Sequence, residues 1–88
     1  MTKRELVVCN RLGLHARAAA KLVQLANQFR CSVFVSTDRM SANAKSILGV
    51  LTLAAAKDTP VVVEVDGPDE AEALEQIEAL ICGKFGEE

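Results

Sequence analysis

In the segment Cys31-Ser32-Val33-Phe34-Val35-Ser36 the side chains alternate, so that an extended strand puts Cys31, Val33 and Val35 on one face and Ser32, Phe34 and Ser36 on the other. A strand of this kind has one face suited to a core and one suited to water. It belongs in a sheet covered on a single side, and every helix with an apolar stripe must then pack on that side. Phe34, on the polar face, reads as a scattered exposed apolar residue.

The rest of the chain supplies the other elements in order. Glu5-Leu6-Val7-Val8-Cys9 reads as a strand, ended by the loop Asn10-Arg11-Leu12-Gly13. From Ala16 to Phe29, Leu22, Leu25, Ala26 and Phe29 fall at helical spacing, widened by Ala18, Ala19 and Val23, which predicts an amphipathic helix. After the alternating segment, Thr37-Asp38-Arg39-Met40 forms a turn into a short strand over 40–43. Ser46 is placed to cap a short apolar helix running to Leu53. Val61-Val62-Val63-Glu64-Val65 is the plainest strand, broken by Gly67-Pro68. Asp69, with Glu72 three residues on, predicts a capped last helix whose stripe is Ala71, Leu74, Ile77 and Ile81, stopping at Gly83. The order is βαββαβα, an α+β chain forming a two-layer sandwich with one face of its sheet open to water.

At 88 residues, half of them hydrophobic, the chain has room for one domain, 1–88, with a single core and no requirement for disulfides or metal. No apolar run approaches the roughly 20 residues that span a bilayer, and the first residues lack a signal-peptide apolar region, so membrane insertion and export are not expected. Cys9, Cys31 and Cys82 are odd in number and contain no CxxC pair, which argues against a disulfide framework or a zinc site and fits a reducing compartment, the cytoplasm. No metal or cofactor is expected.

Charge is unevenly written. Residues 1–57 hold nine Lys/Arg against two acids, a balance of +7, and residues 58–88 hold one Lys against ten acids, a balance of −9. If the first half supplies one surface, that surface attracts anions or an acidic partner; if the halves intermix in space, the asymmetry carries nothing.

The single histidine, His15, lies between a Gly-containing loop and the start of a helix, with Arg17 two residues later and Lys21 four after that. A helix N-terminus offers unpaired N–H groups and a partial positive charge, and an Arg adds a bidentate donor for phosphate oxygens. Phosphoryl transfer asks mainly for positioning and charge stabilisation, so a nucleophilic imidazole, an anion cradle and an Arg form a sufficient set. A lone loop histidine is nonetheless ordinarily a solvated side chain or a cap.

The string Leu12-Gly13-Leu14-His15-Ala16-Arg17-Ala18-Ala19-Ala20-Lys21 changes that weighting. It resembles the phosphorylation-site segment of the HPr family, the histidine-containing phosphocarrier proteins of the bacterial phosphotransferase system. Lys45-Ser46-Ile47-Leu48-Gly49-Val50-Leu51 is similar to the family's regulatory serine segment, at the family's separation, and the resemblance covers nearly the whole chain. It implies an open-faced β-sandwich of four antiparallel strands under three helices. It implies that His15 takes a phosphoryl group on Nδ1 from phospho-enzyme I and passes it to an EIIA-type acceptor, the carrier needing these partner enzymes and acting as a monomer. Arg17 would contact the phosphoryl oxygens and the partner's acidic surface, and Ser46 would be the site used by an HPr kinase/phosphorylase. One position departs: most of the family has Pro where this chain has Ala18, which returns an N–H donor close to the phosphoryl site. The nitrogen-related homologue NPr and some proteobacterial HPr proteins are similar here, and the C-terminal Gly83-Lys84-Phe85-Gly86-Glu87-Glu88 also resembles NPr, so sugar uptake and nitrogen-related regulation both stay open.

Ile47, Leu48, Val50 and Leu51 admit two readings. Either all four are core, or some surface beside His15 as a docking patch rimmed by Arg17, Lys21 and Lys45, since a short helix cannot bury every side against one sheet. Rival functions fit less well. A nucleic-acid binder lacks aromatics beyond three Phe and carries a negative total charge. A free-standing enzyme lacks an acid/base partner for its one histidine and a Gly-rich nucleotide loop. An interaction module controlled by phosphorylation at Ser46 is the alternative that pattern alone does not remove.

Overall fold

The computed structural model describes residues 1–53 and 55–86. Among them the elements are β1 (Thr2–Val7), α1 (Ala16–Ala26), β2 (Ser32–Ser36), β3 (Ser41–Asn43), α2 (Ile47–Leu53), β4 (Pro60–Asp66) and α3 (Glu70–Cys82), followed by a 3₁₀ turn at Lys84–Gly86. The strands form one antiparallel sheet in the order β1-β4-β2-β3.

Register explains why one face is dry. Leu6 lies opposite Val61, and Val33 and Val35 lie opposite Val65 and Val63, so the inward side chains of three strands align beneath the helices. Leu22, Ala26, Val50, Leu74, Ile77 and Ile81 close the core from the helical layer. On the other face Phe34 is 39% exposed, and Lys3 and Glu64 stand in an exposed ion pair at 3.9 Å that contributes little to stability. The four-stranded open-faced α+β architecture is the one the alternating pattern required.

Several local expectations need correction. The first strand starts at Thr2 and ends at Val7, because pairing with β4 runs from Thr2–Val65 to Val7–Pro60. The first helix stops at Ala26, and residues 27–29 close in tighter turns, Gln28 and Phe29 donating their N–H to the carbonyls of Leu25 and Ala26. Asn27 ends the helix by folding its side-chain amide back to the Val23 carbonyl at 2.9 Å. In α3 the buried stripe is Ala73, Leu74, Ile77 and Ile81; Ala71 is exposed, since Ala73 shares the i, i+4 row of Ile77 and Ile81.

Asp69 is the N-cap of α3 by position, as expected, and its carbonyl accepts the Ala73 N–H at 3.0 Å, but the side-chain bonds of a capping box with Glu72 are absent. The Asp69 carboxylate caps nothing in α3 and accepts from the N–H groups of Arg30 and Cys31 at 2.8 and 2.9 Å, tying the start of α3 to the entry of β2. Those bonds, the one from Arg30 first, hold the Asp69 carboxyl below its ordinary range. Glu72 accepts from Gln76 instead. Gly83 does end the helix, yet with φ −83°, and the left-handed positions are the next two residues, Lys84 and Phe85. Phe85, unforeseen as core, is fully buried.

Glu70 takes over the work at this corner. One of its oxygens accepts from the Gly67 N–H at 3.0 Å, and the other accepts from the Thr2 hydroxyl at 2.6 Å and lies 3.2 Å from the amino terminus. The Thr2 hydroxyl, the Gly67 N–H and the terminal ammonium, in that order, lower its pKa from 4.5 to about 2. A carboxyl lowered on folding stabilises the native state above its unfolded value and loses that contribution as pH falls through its folded value. Glu70→Gln should therefore melt below the parent protein at pH 7, and the gap should close between pH 4.5 and about 2; a gap of constant size across that window would contradict the assignment.

Candidate functional site

The site is built from the end of β1 inwards. Asn10, fully buried, donates from its side-chain amide to the Gly13 carbonyl at 2.8 Å, and the Gly13 N–H returns to the Asn10 carbonyl at 3.2 Å, closing a tight turn. Gly13 has φ +67°, and a Cβ there would stand 2.4 Å from the Ala55 carbonyl oxygen, so both conformation and space demand glycine. Leu14 is buried and donates its N–H to that same Ala55 carbonyl at 2.8 Å. The loop before His15 is thus pinned to the segment following α2. Sequence reading saw a polar Gly-containing loop here, and the Asn-x-x-Gly spacing was the signal for its locking.

His15 is the N-cap of α1, in an extended conformation with φ −78° and ψ −179°. Its carbonyl accepts the Ala19 N–H at 2.8 Å, opening the helix, while its Nδ1 accepts the Arg17 N–H at 3.3 Å. The acceptor role fixes the lone pair of Nδ1 over the first turn, and at that length the bond is weak and readily surrendered. The first turn of α1 contains no acid and carries Arg17, a cation at the positive end of the dipole, whereas α3 begins with Glu70 and Glu72. The Arg17 side chain is exposed and holds no ion pair among the described residues. The first turn of α1 thus holds a ring nitrogen against a backbone donor and carries an exposed cation two residues on.

The charged rim is less free than its sequence implies. Lys21 donates its ammonium to the Phe85 carbonyl, and Lys45 donates to the Phe29 carbonyl at 2.8 Å, so both heads fasten chain segments while keeping their charge. Asn27 reaches the Lys45 carbonyl at 3.3 Å, linking the end of α1 to the start of α2. Ser46 is exposed and caps α2, its Oγ accepting from the Gly49 N–H at 3.3 Å. Of the four apolar residues, Val50 is core, Leu51 is half-buried, and Ile47 and Leu48 are 42% and 75% exposed. Leu12, 66% exposed in the His15 loop, adds apolar surface that sequence reading did not single out. The charge asymmetry is resolved by element. The segments of α1 and α2 present Arg17, Lys21 and Lys45 without acids and α3 presents four Glu without bases, while Arg4 of β1 pairs with Glu78 of α3.

A family model described as "PTS HPr component phosphorylation site" matches residues 2–82. The chain is 49% identical over 87 residues to the phosphocarrier protein HPr of Cupriavidus necator, covering 99% of this chain and 98% of that one, and 48% identical to HPr of Neisseria meningitidis at the same coverage. The crystal structure of HPr-C-His from Thermoanaerobacter tengcongensis superposes with a TM-score of 0.96 at 40% identity, covering 100% of this chain and 99% of that one. A fold and matches of this kind define a phosphocarrier protein of the phosphotransferase system, a carrier and not a catalytic enzyme in the usual sense. The chain belongs to the HPr family.

Ala18, fully buried, is the third residue of α1, before the first helical N–H that needs an i−4 partner. Its helical φ already suits a proline ring. Ala18→Pro should stabilise the protein by about 0.4–1 kcal/mol through the unfolded chain and leave phosphoryl acceptance intact. Thermal melts and labelling test this, and marked destabilisation or lost labelling would show that the Ala18 N–H is used.

Proposed function

We propose that this chain is a single-domain, monomeric HPr-type phosphocarrier of the cytoplasm that accepts a phosphoryl group on His15 Nδ1 from phospho-enzyme I and delivers it to an EIIA-type acceptor, in sugar uptake or nitrogen-related regulation. The observation that carries this reading is the Nδ1 of His15 seated over the first turn of α1. In the transfer the Nδ1 lone pair leaves the Arg17 N–H and attacks phosphorus as the bond to the donor breaks. The phosphoryl oxygens then take up the released N–H and the Arg17 guanidinium. Helix donors and Arg spread the transferring charge without reorganising, and delivery to the acceptor reverses the same steps.

Docking falls to Ile47, Leu48 and the half-buried Leu51, the apolar residues of α2 that the core leaves exposed or partly so. Lys21 and Lys45, although held by carbonyls, keep positive charge at its rim for an acidic partner. Ser46 is the regulatory position, addressed by an ATP-dependent HPr kinase where one is present.

Incubated with enzyme I and phosphoenolpyruvate, the protein should gain an acid-labile, alkali-stable phosphoryl group that His15→Ala abolishes, because a phosphoramidate leaves easily once its ring is protonated. Labelling retained in that variant would overturn the assignment, and absence of any label in the parent would favour a pure interaction module.

Ser46→Asp should keep the fold and weaken docking. A negative charge at a helix start beside Lys45 is tolerated or slightly favourable for folding, while in the contact it meets the partner's acids. The expected result is an unchanged melting temperature with a raised apparent KM for enzyme I that salt partly relieves; unchanged kinetics or a collapsed melt would contradict it.

A further inference from the structure

The Sγ of Cys9, just beyond β1, lies 3.5 Å from the Ile81 carbonyl oxygen and 3.7 Å from that of Cys82, the last residue of α3. The two cysteines are 73 residues apart in sequence yet adjacent in the fold. A carbonyl oxygen stands about 2.4 Å from its own Cα, so the Cys9 sulfur is within about 6 Å of the Cys82 Cα. Bonding geometry then requires rotation of the two side chains, with give at the helix end before Gly83. Cys82 is exposed and Cys9 is half-buried, so an entering reagent meets Cys82 first. Cys31 is buried to 1% exposure and lies under the Asp69 corner, which sets it apart from the pair.

We propose that Cys9 and Cys82 form a redox pair, a modification site that closes into an intramolecular disulfide by exchange with a low-molecular-weight disulfide such as oxidised glutathione. The Cys82 thiolate attacks one glutathione sulfur, forming a mixed disulfide and expelling one glutathione thiolate. The Cys9 thiolate then attacks the Cys82 sulfur, forming the internal S–S bond and expelling the second. Two protein thiols are oxidised, one glutathione disulfide is reduced to two thiols, and the two protein protons pass through solvent to the leaving thiolates. The bridge joins the residue before Asn10, the buried anchor of the His15 loop, to the end of α3, and encloses most of the chain. An exposed bridge of this kind belongs to the labile class that reports redox conditions, not to a permanent framework.

The test uses the full chain equilibrated with oxidised glutathione, quenched with an alkylating agent, and analysed by intact mass and non-reducing peptide mapping. The expected product is a monomer lighter by two hydrogens, with the Cys9 and Cys82 peptides joined and Cys31 alkylated only after denaturation. Cys9→Ser should halt at a glutathione adduct on Cys82, and Cys82→Ser should give no closed form. The closed form should melt on the order of 10 °C above the reduced form, since the cross-link restricts the unfolded chain. A parent protein that stops at the Cys82 adduct, forms mainly linked dimers, or bridges through Cys31 would overturn the proposal, as would a closed form that melts below the reduced one.

Discussion

The first turn of an α-helix leaves backbone N–H groups that no intrahelical carbonyl can reach, and in α1 the N–H of Arg17 is met by a ring nitrogen of His15 at 3.3 Å. A Ser or Asp cap would satisfy that donor more firmly and end the matter. An imidazole cap satisfies it more loosely, and in the proposed function the same lone pair becomes the nucleophile, directly over the donors that a phosphorylated ring would need. The resting cap and the product site are one geometry with a different acceptor in it. Arg17 is a cation in the first turn, unfavourable toward the helix dipole by a few tenths of a kcal/mol, a cost that an arriving phosphoryl group would reverse on the proposed reading.

The rest of the molecule holds this cap at a fixed place and angle. Asn10, Gly13 and the Ala55 carbonyl fix the entry to α1, and a Cβ at Gly13 would push the loop off its anchor. The far end of α1 is tied down twice, through Asn27 to the Lys45 carbonyl and through Lys45 to the Phe29 carbonyl, so that α1 and the Ser46 cap of α2 form one framework. The one-sided sheet makes this possible because it forces α1, α2 and α3 into a single layer. Exposed Ile47 and Leu48 lie in that layer because α2 buries Val50 and Leu53 and has no second sheet to receive its other side.

The architecture was legible because it rests on periodicity. Alternation in Cys31–Ser36 and the valine run of β4 called for a half-covered sheet, and the helical stripes supplied its cover. His15 and Arg17 stood at a helix start where residue types alone allowed an ordinary cap, and it was the resemblance of the whole Leu12–Lys21 string that singled them out. What escaped was the destination of long-range polar contacts. The Asp69 side chain looks like a cap from its neighbours and instead serves backbone N–H groups of Arg30 and Cys31, 39 and 38 residues away. Lys21 and Lys45 look like free charges, and each closes a distant carbonyl. Phe85 falls after the last stripe, and only its left-handed backbone turns it back into the core.

In the proposed transfer Nδ1 of His15 exchanges the Arg17 N–H for phosphorus while the helix donors pass to the phosphoryl oxygens. Nitrogen-15 NMR of the labelled protein before and after phosphorylation by enzyme I reads both halves at once, through the His15 ring nitrogens and the Arg17 amide. Phosphorus coupling to Nδ1 is expected, together with a large downfield shift of the Arg17 amide proton as it gains an oxygen acceptor. Phosphorylation at Nε2, or at Nδ1 with the Arg17 amide unmoved, would contradict the proposed transfer.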